Sequence, residues 1–314
     1  MGRVIVRRVV AIIPILFLVT VAAFFMQVAM PGDPAYALAG ANATPEQIAK
    51  IQAEMHLNTA APVRYWYWLD DVLHGKLGIS YSSHRSVAGE IAHRFPVTAS
   101  LALGALFLTI VIGIPLGILQ GLRPGSKTDK GLLGFVSFAI SAPAFWVATM
   151  LVFIFAVKLR VLPALGYVSF QKSPVSWASH IILPAFTLSL YGFAVIARFL
   201  RTGIVGVTQE DFVRALRARG LSSRRIIYKH ILKNAALPTV TVLGLNIGYL
   251  LSGAVIVEQI FTLPGMGTYA LGAIQGRDAP AIQGVILATA IVIVTVNLLT
   301  DLAYSFLNPK VKLA

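Results

Sequence analysis

Few side chains in this 314-residue chain stand where they could move protons, hold metals or attack bonds. Glu258, Asp278 and Asp301 lie at the borders of long apolar stretches, where a charge is a functional suspect because it costs about 2.5–3.5 kcal/mol at a bilayer centre and less at its edge. They are candidates for a pathway or gating role, against the plainer reading of helix-end charges that are solvated or paired. An intramembrane protease would need two facing carboxylates, but Glu258 and Asp301 sit at stretch ends expected on opposite membrane faces. His56, His74, His84, His93, His180 and His230 form no H-E-x-x-H motif, and no cysteine is present to complete a zinc site. The only Gly-Lys pair, Gly75-Lys76, has Asp70 where a phosphate loop needs glycine. Leu251-Ser252-Gly253 matches the start of an ATPase signature but continues Ala254-Val255 inside an apolar stretch, and no G-x-S-x-G elbow occurs. The chain is expected to be no enzyme on its own, with no metal site and no cofactor of its own.

The elements that hold these residues are membrane elements. With 57% hydrophobic residues, 12% charged and a mean hydropathy of +0.79, the chain is too apolar for an ordinary soluble domain. Disorder, a collagen-like repeat and a disulfide scaffold are excluded on the same grounds. About 20 helical residues cross a bilayer core. Six charge-free windows meet that length, at 9–32, 95–122, 131–157, 173–197, 234–257 and 279–300. Pro14, Pro115, Pro143 and Pro184 lie inside windows and are expected to be tolerated there. Arg7-Arg8 and Ala35-Tyr36-Ala37 imitate an export signal and its cleavage site, but the apolar run outlasts a signal peptide's core of about 7–15 residues, so the first window is expected to remain a span.

Orientation follows from the basic residues. With the N-terminus cytosolic, the inner segments hold 17 Lys and Arg and the outer segments 9, while the acidic residues divide 4 to 8. Both termini are therefore expected in the cytosol. The formal charge of +14 orients the chain and calls for no nucleic acid.

Two segments outside the windows read as folded. In the outer segment, Thr44-Pro45-Glu46-Gln47 predicts a capped helix with Ile48, Ile51 and Met55 on one face, and a second helix over 62–74 ended by Gly75. That helix carries Tyr65-Trp66-Tyr67-Trp68, expected to anchor at the membrane boundary. In the inner segment after Arg198, Thr208-Gln209-Glu210-Asp211 predicts a capping box opening a helix over 210–219, which Gly220 ends in the left-handed conformation. Ser222 or Ser223 then caps a helix reaching Leu232. Gly113, Gly117 and Gly121, and Gly244 with Gly248, recur every fourth residue and predict close helix packing within the chain.

The run Arg214-Ala215-Leu216-Arg217-Ala218-Arg219-Gly220-Leu221 resembles the EAA loop of ABC importer permeases, and the continuation from His230 to Pro238 resembles its form in peptide permeases. Pro31-Gly32-Asp33-Pro34, Gly75-Lys76-Leu77-Gly78-Ile79-Ser80, Glu258-Gln259-Ile260-Phe261, Pro264-Gly265-Met266-Gly267, Arg277-Asp278 and Asn308-Pro309-Lys310 follow in the same order. Together they are similar to the B-type membrane subunit of dipeptide and oligopeptide importers. The loop departs from the motif: Arg214 stands at the leading Glu position, Leu216 at the third, and the proline is displaced to Pro238. The resemblance implies an all-α, polytopic membrane protein with six transmembrane helices, the type I ABC importer permease fold, in a bacterial cytoplasmic (inner) membrane. It divides the chain into an N-terminal segment with the first span (1–32), an extracytoplasmic folded segment (33–96), a permease core (97–307) with a coupling loop (201–237), and a cytosolic tail (308–314). It also implies that Glu210, Asp211, Arg214, Ala215, Arg217, Gly220 and Leu221 form a coupling helix and its end, docking on a cytosolic ATPase. The partners implied are a second homologous permease, two ATP-binding subunits holding ATP and Mg, an extracytoplasmic solute-binding protein, a peptide substrate and membrane lipid. A nickel or other small-solute importer and a stand-alone secondary transporter are the alternatives.

Overall fold

A computed structural model describes residues 2–29, 33–39 and 43–307; the side chains of residues 2–9, 237, 301 and 303–307, the Pro31-Gly32 pair and the tail 308–314 lie outside the described ones. Among the described residues the regular elements are helices, apart from one isolated bridge between Ile79 and Ser86: α1 Gly2–Ala29, α2 Pro34–Ala39, α3 Pro45–Glu54, α4 Ala61–Leu73, α5 Val87–Leu122, α6 Lys127–Ser141, α7 Ala144–Leu151 continued by a π-helical segment Val152–Lys158, α8 Pro174–Thr208, α9 Asp211–Ala218, α10 Ser223–Ile226, α11 Leu232–Ile260, α12 Met266–Gln275 and α13 Ala279–Leu307. Five stretches are long and apolar enough to cross a bilayer, and the bent pair Lys127–Ser141 and Ala144–Lys158 makes a sixth where it is counted as one span.

That bent pair departs from the expectation. Pro14, Pro115 and Pro184 stay inside continuous helices, but the chain turns by 105° between α6 and α7. Pro143 has no N–H to give a helix and pushes the residue before it out of the α region. Ala142 is accordingly extended, at φ −67° and ψ 126°, and Pro143 becomes the N-cap of α7.

The helices form two compact units. The first comprises Met1–Pro96 and Pro264–Val294. Its outer helices form as the sequence predicts: Thr44 Oγ1 accepts from Gln47 N at 3.3 Å while Gln47 Oε1 accepts from Thr44 N at 2.9 Å, and Gly75 follows α4 at φ +78°. The aromatic run divides. Tyr65 and Trp68, three apart and so on one helix face, pack their rings 5.5 and 5.6 Å from Phe24 of α1, and the Tyr65 hydroxyl meets Thr20 at 2.8 Å. Only Trp66 and Tyr67 remain exposed for the expected anchoring role. A second cluster joins Val87, Ala273, Ala281 and Ile282, where a Cβ at Gly284 would collide with Val87.

The second unit comprises Val97–Leu263 and Thr295–Ala314. Its centre is α8, whose apolar window is 72% buried where the other straight spans reach at most 28%. The glycine stripe of α5 lies on it. A Cβ at Gly113 would stand 2.8 Å from the Phe193 carbonyl oxygen, one at Gly117 2.8 Å from Leu200 Cβ, and one at Gly121 2.8 Å from Ile204 Cβ. The predicted close approach is thus made within the chain. On α11, a Cβ at Gly244 would collide with Thr300, whereas Gly248 faces open space, so that pair forms no stripe.

Candidate functional site

The end of α8 is fixed before the exposed segment begins. Ser126 caps α6 by accepting from Asp129 N at 3.1 Å, which turns the Asp129 carboxylate inward. Arg201 meets it with two parallel bonds, Nε to Oδ1 and Nη2 to Oδ2, each 2.8 Å, and Gly125 N adds a third at 2.8 Å. Asp129 is 1% exposed, so this is a buried, bidentate pair tying α6 to α8. Sequence reasoning missed it. Ser126-x-x-Asp129 carries a capping signal, but nothing local marks Arg201, 72 residues away, as its partner.

The capping box predicted at Thr208 does not form. α8 runs through Thr208, whose hydroxyl donates to the Ile204 carbonyl at 2.6 Å inside that helix. The N-cap of α9 is Glu210, extended at ψ 149° and without a side-chain cap bond. A hydroxyl already spent one turn back cannot cap the next helix. The C-terminal end matches expectation. Gly220 N donates to the Arg217 carbonyl at 2.9 Å and Leu221 N to the Leu216 carbonyl at 3.3 Å, with Gly220 at φ +77°. These two bonds are a Schellman end, which favours glycine at the left-handed residue.

Inward, Val213 is fully buried in a cluster with Leu200, Ile204, Ile226, Ile231 and Ala235, and Leu216 and Leu221 pack beside it. Outward, Glu210, Asp211, Arg214, Ala215, Arg217 and Gly220 are exposed. The Arg214–Asp211 pair at 3.4 Å is solvated on both sides and contributes ~0.5 kcal/mol or less. The seven coupling candidates therefore come together on one short helix and its terminus, with its apolar side docked and its charged side free. The following helix also differs from expectation. Ser222 is the N-cap of α10 but makes no side-chain cap bond, and the helix does not stop at Leu232. It continues through a π turn, Ile227–Ile231, into α11. The wider turn lets Ile226 and Ile231, five residues apart, enter the same cluster.

The carboxylates at window borders are placed separately. Glu258, near the end of α11, is fully buried and accepts from Thr98 Oγ1 at 2.6 Å within the second unit. Asp278 is fully buried in the first unit and caps α13. Its Oδ1 accepts from Ala281 N at 3.3 Å, and its Oδ2 accepts from Ser82 N at 3.2 Å, Ser82 Oγ at 2.8 Å and the Ser80 hydroxyl. Burial raises its pKa, but the Ser80 and Ser82 bonds outweigh it and leave the carboxyl below its ordinary value. Both are paired, not solvated. The side chain of Asp301 lies outside the described ones. Among the described residues no group of His, Asp and Glu could hold a metal ion.

Comparison with known proteins agrees with this architecture. Residues 113–313 match the family described as binding-protein-dependent transport system inner membrane component, and residues 1–102 match its N-terminal component. The chain is 36% identical over 312 residues to a putative peptide transport system permease protein of Brucella abortus (strain 2308), covering 99% of each. It is 36% identical over 332 residues to the dipeptide transport system permease protein DppB of Escherichia coli (strain K12), covering 98% of each. A structure of the MetNI methionine ABC transporter in inward-facing conformations superimposes with a TM-score of 0.57 at 17% identity, over 69% of this chain and 96% of that one. At that identity the match speaks to the fold.

Proposed function

This chain belongs to the family of binding-protein-dependent transport system inner membrane components, and from that premise we propose that it is the permease subunit of an ATP-driven importer of short peptides. As a member of that family it is a non-catalytic, multi-pass protein of the inner membrane. In the proposed assembly it pairs with a second homologous permease to form the pathway. Two cytosolic subunits bind ATP and Mg, and an extracytoplasmic binding protein delivers the peptide. The names of the relatives support peptide cargo over nickel or another small solute.

One observation carries the coupling role: α9 is held rigidly on its apolar side while its charged side is left exposed. A short helix docked along its apolar face and closed at its C-terminal end transmits a push as a rigid body, which a solvated loop cannot do. Closure of the ATPases against Asp211, Arg214, Ala215 and Arg217 would move α9, and through Val213 and Leu216 the ends of α8 and α11. Gly220→Pro tests this. Proline cannot adopt φ +77° and removes the N–H bonded to Arg217. Substrate-stimulated ATP hydrolysis by the reconstituted complex should be abolished while the chain still inserts and assembles; normal stimulation in that variant would remove α9 from the coupling path.

A further inference from the structure

A cavity of about 380 Å³ lies within the first unit, between α1, α3, α4, the loop after Gly75 and the first turns of α13. Its volume falls in the range of small-ligand pockets, roughly 300–1,000 Å³. Neither the coupling surface nor the buried carboxylates use it.

Two hydrogen-bond donors on its wall have no acceptor among the described residues. The guanidinium of Arg64 is half-buried, lies 5.5 Å over the Phe24 ring and has no carboxylate within ion-pair distance. The Tyr81 hydroxyl accepts from Gln27 Nε2 at 3.2 Å, which leaves its own hydrogen to give. Burial pushes that hydroxyl up to about 12, so it remains a donor at neutral pH. A half-buried cation and a neutral donor on the wall of one cavity favour an anionic group supplied by a ligand. The remaining wall narrows the class. Trp68 and the exposed Ile79 offer apolar surface, which inorganic phosphate would leave unused. Glu54 and Asp71 stand exposed on the same wall, each 4.0 Å from one lysine, Lys50 and Lys76, and each keeps a second carboxylate oxygen that can accept from an amine.

We propose that this cavity binds a short peptide with free termini, its carboxylate on Arg64 and Tyr81, its amino group toward Glu54 and Asp71, and an apolar side chain against Trp68 and Ile79. The choice of a peptide over other amphipathic zwitterions rests on the import reading above. The site would hold peptide on the extracytoplasmic segment of the permease, separately from the solute-binding protein.

Equilibrium dialysis of radiolabelled Leu-Phe against the whole complex, in phosphatidylcholine nanodiscs and without solute-binding protein, tests the proposal. Saturable binding should weaken about tenfold with Arg64→Gln and about tenfold when the peptide is amidated at its C-terminus, with a smaller loss for Tyr81→Phe. The amidated peptide probes the unaltered protein, so the test survives a variant that does not fold. Absence of binding, or binding indifferent to Arg64 and to amidation, overturns the proposal. So does binding of lysophosphatidylethanolamine that Arg64→Gln weakens while Leu-Phe does not bind, since the cavity would then belong to a lipid headgroup. Leu-Phe uptake by proteoliposomes supplied with binding protein is read separately. Uptake without this binding removes the site and keeps the import reading, and binding without uptake does the reverse.

Discussion

Asp278 illustrates how a single residue changes meaning once its neighbours are known. At the border of an apolar window it is a gating candidate; in the structure its carboxylate caps α13 and gathers Ser80 and Ser82 around it. Those bonds hold its pKa below the ordinary carboxylate value of about 3.9 in spite of burial. The sign of the pH dependence follows. A carboxylate depressed in the folded state contributes stability that is complete above its unfolded pKa and is lost as pH falls through the folded one. Thermal unfolding of the purified protein should therefore lose midpoint as pH is lowered from about 5 through 3. Asp278→Asn should lower the midpoint at neutral pH and flatten the acid limb. If the variant keeps the acid limb of the parent, the loss belongs to other carboxylates. Asp129 is the matching case in the second unit. Asp129→Asn leaves Arg201 without its counter-charge, and unfolding should show a loss of about 3 kcal/mol, because removing one partner of a buried pair costs more than the pair contributes.

Among the elements, the pairing of α5 with α8 makes the sharpest demand. Gly117 lies where even a methyl group would stand 2.8 Å from Leu200 Cβ and 2.9 Å from the Ala197 carbonyl oxygen. Gly117→Ala should cost about 1–3 kcal/mol, the usual penalty for overpacking, read as a lower unfolding midpoint in detergent. Gly131→Ala, where a Cβ meets nothing within 4 Å, should leave the midpoint within about 0.5 kcal/mol of the parent. Equal effects in the two variants would mean that helix propensity, not close approach, sets the outcome. The stripe was legible in the sequence because a four-residue repeat is a property of one helix. Gly220 was legible for the same reason: a left-handed helix end is a local requirement. The failures have the opposite character. The choice between Thr208 and Glu210 as a cap depends on where α8 stops, and that depends on Leu200, Ile204 and Val213 meeting in one cluster. The break at Pro143, unlike the unbroken course through Pro184, is likewise settled by packing that no single window records. The pairs Asp129–Arg201 and Thr98–Glu258 join residues 72 and 160 positions apart, beyond any spacing rule.

For the whole molecule the excess of basic charge is the guide to orientation. Of the 26 Lys and Arg residues, nine fall between Arg198 and Lys233, the stretch that carries α9 and its terminus. If that surface meets a cytosolic ATPase, the segments joined to alternate ends of the spans must divide between the two sides of the membrane as their charge divides. Lys and Arg in short loops resist translocation, which is the ground for the proposed sidedness. The absence of cysteine lets this be measured without first stripping native thiols. Single cysteines at Ser83, in the loop before α5, and at Ser223, the first residue of α10, should react oppositely with a membrane-impermeant maleimide. In spheroplasts Ser83→Cys should label and Ser223→Cys should not, and in inverted vesicles the pattern should reverse. Both positions are exposed in this chain, and labelling the permease expressed without its ATPases keeps a docked partner from masking Ser223→Cys. Labelling of Ser223→Cys from the outside would place α9 away from any cytosolic ATPase and would remove the coupling role together with the proposed orientation.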